Sequence, residues 1–184
     1  MKRILKCRLC SSTLPNTSVL FQDQFVSNFV TENDVLSGIK VPIELVICSE
    51  CTLVQQCYSA PQDFLYSQNY WYRSGVTETM RSQLRDIVSS CFEEVLMSES
   101  DVMLDIGAND GTMLGFAKDK CITVGIDPAK NLFESLQKNC DYSANSFWNA
   151  EAYFQLARES ALPKPKIVTA IGMFYDLEDP LSFV

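Results

Sequence analysis

Two cysteine pairs constrain this chain more than any other feature. Cys7-Arg8-Leu9-Cys10 and Cys48-Ser49-Glu50-Cys51 each leave two residues between thiols, and 37 residues separate Cys10 from Cys48. At that internal spacing a single tight turn aims both sulfurs at one point. Two such turns brought together make a tetrahedral four-sulfur site, which favours zinc among the divalent ions. The metal would be fully ligated and therefore structural. A redox dithiol is the competing reading, although redox motifs usually come singly. The connection between the knuckles exceeds ordinary ribbon spacing, so it must carry structure of its own. Cys57, Cys91, Cys121 and Cys140 show no pairing and read as ordinary thiols.

Around the second knuckle, Val41–Ile47 alternates loosely and reads as a strand, with Thr52–Gln56 as its hairpin partner. Phe64, Tyr66, Tyr70, Trp71 and Tyr72 then form an aromatic cluster beside Arg73, Ser74 and Gly75. It reads either as a binding wall or as the seam between two domains. From Thr77 to Met97 the apolar residues Met80, Leu84, Ile87, Val88, Cys91, Phe92, Val95 and Leu96 recur in steps of three and four. That is one helical stripe, which needs a surface to lie on.

The next segment supplies it. Val102-Met103-Leu104-Asp105-Ile106 is an apolar strand with an acidic tip, followed by Gly107-Ala108-Asn109-Asp110-Gly111 and a helix over 112–118. Gly107 and Gly111 let backbone approach a ligand closely. Yet Asn109 stands where the dinucleotide fingerprint has its second glycine, and Asp105 and Asp110 would repel a pyrophosphate. A ligand with a cationic centre and an ammonium group, and no phosphate, suits this loop. S-adenosylmethionine is such a ligand. Ile122–Ile126 is a second apolar strand that runs into Asp127, 22 residues beyond Asp105. That is near the offset of about 20 residues at which a second-strand acid accepts ribose hydroxyls. The alternative is a structural loop with acids at its strand ends.

Further segments continue the alternation: a short helix over 131–138, a strand or loop over 141–147, a helix over 149–159, a strand over 166–174, and a helix opened by Asp179-Pro180. The fold class expected is α/β: a small zinc-binding module with its aromatic linker over 1–75, then a partial Rossmann-like domain with a parallel sheet over 76–184. The strand 167–174 is apolar enough to be internal, yet nothing after it can cover its free side. The chain is therefore expected to be truncated, and its free edge to invite self-association or a missing C-terminal half.

Charge narrows the function classes. Acidic residues outnumber basic ones 23 to 15, for a net −8, which argues against nucleic acid as the partner. Histidine is absent, so no His-based catalyst or His metal ligand exists within this chain. Neither a targeting segment nor an apolar stretch of membrane-spanning length is evident, and the expected location is the cytoplasm.

Asp105-Ile106-Gly107-Ala108-Asn109-Asp110-Gly111, followed by Gly125-Ile126-Asp127-Pro128, resembles motifs I and II of class I S-adenosylmethionine-dependent methyltransferases. With both Cys-x-x-Cys pairs ahead of it, Tyr70-Trp71-Tyr72-Arg73-Ser74 between, and Gly172–Leu181 behind, the chain is similar to the zinc-containing sugar C-methyltransferases. These methylate a carbon of a nucleotide-linked keto-deoxysugar. The resemblance implies that Cys7, Cys10, Cys48 and Cys51 hold zinc. It implies that Asp105, Gly107, Asn109, Asp110 and Gly111 line the methionine end of the cofactor and that Asp127 holds its ribose. Pro128 and Phe147 would then flank adenine, and Tyr72 and Ser74 would close over cofactor and sugar. Family members are longer, and a His/Glu/Tyr segment expected beyond Val184 supplies their base. No catalytic residue is assigned here. A zinc-bearing, cofactor-binding scaffold without turnover stands as the alternative.

Overall fold

The structure is a computed structural model that describes residues 3–26, 31–35, 38–68 and 70–184. The chain divides into two compact units, Met1–Leu65 with Asp176–Val184, and Tyr66–Tyr175. Residues 66–68 and 70–75 fall in the second of these units.

In the first unit, β1 (Val19–Phe25), β2 (Lys40–Ile47) and β3 (Val54–Gln56) form an antiparallel sheet in that order. The expected hairpin is β2–β3, with Ile47 opposite Val54 and Leu45 opposite Gln56. The structure required of the long connection is β1, which pairs with β2 through an irregular register between Leu20 and Asp23. Every residue of β1 is exposed. The buried core is small and partly sulfur: Cys7, Leu14, Val46, Cys48 and Cys57. Pro180–Phe183 forms a short helix, with the Ser182 N–H donating to Asp179 Oδ1 at 3.0 Å.

The second unit opens with α1 (Glu78–Glu94), capped by Thr77, whose hydroxyl accepts from the Met80 N–H. Met80, Leu84, Ile87, Val88, Cys91 and Phe92 pack on the core as their spacing predicts. Leu96 departs from the expected stripe. The helix ends at Glu94, Val95 turns extended, and Leu96 is left 88% exposed.

β4 (Val102–Ile106), α2 (Thr112–Gly115), β5 (Ile122–Ile126), α3 (Phe133–Asn139), β6 (Tyr142–Ala144), α4 (Ala150–Ser160) and β7 (Pro165–Thr169) follow. The strands make one parallel sheet in the order β6-β5-β4-β7. Alternation of strand and helix dictates that arrangement, because a parallel connection must cross the sheet face, and the whole is consistent with a Rossmann-like fold. Helix α2 is shorter than the 112–118 segment suggests, since Phe116 and Ala117 donate to carbonyls three residues back and tighten the turn. β7 is also shorter than expected and lies at the sheet edge. Its Ile167 is buried, but Val168 is 55% exposed, and Gly172 adopts a left-handed conformation before the chain could extend the strand.

The core between sheet and helices centres on Leu136 of α3, which is fully buried. Its Cδ1 occupies the space that side chains on two glycines would need, 2.6 Å from a Cβ placed on Gly125 and 3.1 Å from one on Gly111. One branched side chain thus seats α3 against β5 and the glycine loop. Leu136→Ala is expected to cost about 2–5 kcal/mol, read as a lower urea midpoint of this unit at unchanged slope.

Candidate functional site

The two knuckles are built alike. In the first, the Cys7 N–H donates to Ser12 O and the Ser11 N–H to Cys7 O. In the second, the Cys48 N–H donates to Leu53 O and the Thr52 N–H to Cys48 O. Ser11 and Thr52, each just after the second cysteine of its pair, share a left-handed φ of 62°. That conformation is unusual for a β-branched threonine and holds the turn tight. The Gln55 side chain ties one knuckle to the other hairpin by accepting from the Arg8 N–H at 2.9 Å.

The four sulfurs lie within 4.8 Å of one another, with Cys7–Cys51 at 3.5 Å and Cys10–Cys48 at 3.6 Å. These gaps are too long for a disulfide, and all four thiols are free. They match the edge of about 3.8 Å in a tetrahedron with metal–sulfur bonds near 2.3 Å. Backbone N–H groups of Cys51 and Glu50 lower the Cys48 thiol to about 6, so a thiolate is already favoured there. The residues present fit a structural metal ion.

The second candidate site lies at the carboxyl ends of β4 and β5, which run in register with Asp105 beside Gly125. Asp105 is buried and accepts from the Thr169 hydroxyl at 2.7 Å. Burial pushes its carboxyl up to about 7, with the Asp127 charge adding to the effect. Asp127 is buried just past β5. Its two oxygens accept from the Asn109 and Ala129 N–H groups, each at 2.8 Å, yet burial still raises its pKa. The Gly107 and Ala108 N–H groups share Ile126 O, which fastens the loop to β5. Gly107, at φ 74°, presents bare backbone beneath the Met173 side chain.

Asn109 and Asp110 tie the glycine loop to the segment that precedes α1. The Asn109 carboxamide binds backbone at Tyr72 and Ser74, and the Asp110 carboxylate binds the Gly75 N–H, the Thr112 N–H and the Thr112 hydroxyl. Gly111, at φ 76°, caps α2. Tyr72, Ser74, Pro128 and Phe147 are all half-buried, with Phe147 in the connection from β6 to α4. In that connection the Asn145 side chain donates to Asp127 O, and the Ser146 hydroxyl oxygen is buried without a hydrogen-bond partner. Thr169, Asn131 and Asn145 escaped the sequence reading. Thr169 was hidden because the expected strand ran on to Phe174, which left it in mid-strand rather than at the tip where β7 ends.

Two buried carboxylates on adjacent strand tips, the half-buried backbone of Gly107 and the unpartnered Ser146 hydroxyl are the groups that this end of the sheet offers to a ligand. No helix among the described residues is long and apolar enough to cross a membrane. No family model matches the chain. It is similar to the C-methyltransferase NovU of Streptomyces niveus, with 26% identity over 135 residues, covering 72% of this chain and 32% of that protein. The chain thus spans about a third of the length of the curated relative it matches.

Proposed function

We propose that this chain is the cofactor-binding part of an S-adenosylmethionine-dependent C-methyltransferase, with a nucleotide-linked keto-deoxysugar as substrate and a zinc ion holding its N-terminal module. The observation that carries the reading is the buried pair Asp105 and Asp127 on neighbouring strand tips. Carboxylates out of water attract a cation far more strongly than exposed ones. The cofactor supplies a methyl group on a positively charged sulfur. Asp127, fixed by two backbone N–H groups, is oriented to accept a diol through its remaining lone pairs. Asp105 and the Gly107 backbone would hold the amino-acid end, and the unpartnered Ser146 hydroxyl, next to the Asn145 that bonds Asp127 O, would be a further group for the nucleoside. The metal centre supplies shape, since all its positions are taken by sulfur.

Methylation at carbon also requires removal of a proton next to the sugar carbonyl. A tyrosine, with an ordinary pKa of about 10, is a weak base at neutral pH, and the sequence holds no histidine. That absence favours a second reading, a zinc-bearing module that binds the cofactor without turning it over.

Calorimetric titration with S-adenosylhomocysteine, with metal measured on the same sample, tests the cofactor reading. Asp127→Ala is expected to weaken binding by about 10–100-fold, the loss of charge-assisted hydrogen bonds, while metal content stays unchanged. Unaltered affinity in that variant would remove Asp127 from the site. Transfer of a labelled methyl group to a keto-sugar nucleotide separates enzyme from scaffold.

A further inference from the structure

The segment after the first unit is sewn to the second at three places along its length. The Lys130 N–H donates to Ser67 O at 3.0 Å. The Asn131 carboxamide then makes a two-point clasp on Tyr70, accepting from its N–H at 3.0 Å and donating to its carbonyl at 2.9 Å. The Asn109 carboxamide makes the same kind of clasp further on, accepting from the Ser74 N–H at 2.9 Å and donating to Tyr72 O at 3.1 Å. Asp110 adds a bond from the Gly75 N–H at 2.9 Å. Gly75 itself sits so close that a Cβ there would lie 2.5 Å from the Thr112 hydroxyl.

The placement of the two clasps is what matters. Asn109 lies in the loop that leaves β4, and Asn131 lies in the connection that leaves β5. Those are the strands whose tips carry Asp105 and Asp127. Residues 70–75 therefore span the carboxyl ends of both strands, held at each side by an amide that mimics a β-ladder partner, giving one acceptor and one donor to backbone. Tyr72 and Ser74 lie between the clasps or within the second. Both asparagines hold backbone, so they work whatever side chains the strap presents.

We propose that Asn131, together with Asn109, is a positioning residue that straps Tyr70–Gly75 across the ends of β4 and β5, so that release of the bound cofactor waits on the strap. The gate rests on the cofactor reading above, whereas the clasp does not. Asn131 is the clean test, because it is exposed and outside the glycine loop. In Asn131→Ala both bonds to Tyr70 are lost. In Asn131→Asp the acceptor for the Tyr70 N–H remains but the donor to its carbonyl is gone.

The experiment uses the full chain with its metal. Hydrogen exchange reads the strap amides, and stopped-flow fluorescence, with Trp71 of the strap as reporter, reads S-adenosylhomocysteine dissociation. Asn131→Ala is expected to speed both strap exchange and dissociation about tenfold, from two solvent-facing bonds, with Asn131→Asp in between and the thermal midpoint of the sheet unit unchanged. Exchange equal to the parent chain overturns the clasp. Faster exchange with unchanged dissociation overturns the gate. Failure of the parent chain to bind S-adenosylhomocysteine overturns the cofactor reading and the gate with it, while the exchange data still decide whether the clasp holds.

Discussion

Cys48→Ser is expected to bring metal content from one ion per chain to near zero, and to unfold the first unit while the parallel sheet stays folded. Cys48 is wholly buried in a core that, among the described residues, it shares with Cys7, Leu14, Val46 and Cys57, with Ile4, Cys51, Leu53 and Tyr58 packed against it. Burying a valine or leucine is worth about 1.5–3 kcal/mol, so a core with this few aliphatic side chains contributes little toward ordering three strands and two knuckles. A structural zinc contributes on the order of 10–16 kcal/mol in small domains, so an ion held by the four sulfurs would decide whether this unit folds. A serine hydroxyl does not replace a thiolate on a soft site, and left without metal the three remaining sulfurs have no common partner. Metal analysis and amide exchange over residues 3–65 check the outcome, with the 102–144 amides as internal control. Retention of a full equivalent of zinc would exclude the four-sulfur centre. A folded first unit without metal would show instead that the hairpin core is sufficient alone.

What could be read from the sequence, and what could not, divides along a physical line. The knuckles were legible because ligand spacing is local. Two residues between thiols fix a turn regardless of what surrounds it, and the same turn recurs at Cys7 and Cys48. β4, β5 and α1 were legible because each buries one continuous apolar run or stripe. β1 was not, since all its residues are exposed and Gln22, at φ 75°, breaks the alternation in mid-strand. The end of β7 was overread because apolar character continues to Phe174, while pairing with β4 already ends at Thr169, and hydropathy does not encode where pairing stops. The clasps were invisible for a third reason. Asn131 and Tyr70 lie 61 positions apart, and an amide that binds backbone needs no particular residue on the other side. Side chain-to-backbone bonds of long range leave no pattern to find.

Asp105→Asn is expected to make the ligand-free protein more stable at pH 8 and to impair the site at the same time. Its carboxyl is pushed by burial from 3.8 up to about 7, with only the Thr169 hydroxyl to favour the charged form. Between those values the folded state holds a proton that the unfolded chain has released. Stability therefore falls as pH rises from about 4 through 7, the reverse of an acid held by a cation, and the full cost is reached above 7. By linkage that cost is about 4 kcal/mol, which an uncharged isostere removes. Asparagine keeps the oxygen that accepts from Thr169, so the gain is not offset by a lost bond. Thermal unfolding at pH 8 should rise by several degrees in the variant, and the difference should vanish by pH 4. Binding follows the opposite course. A cationic ligand favours ionised Asp105, so affinity for S-adenosylmethionine in the parent chain should strengthen as pH rises through about 7 and flatten above it. In Asp105→Asn it should be weak and independent of pH over that range. A variant that gained stability yet bound the methyl donor as tightly as the parent would mean that the charge at this strand tip serves some other ligand.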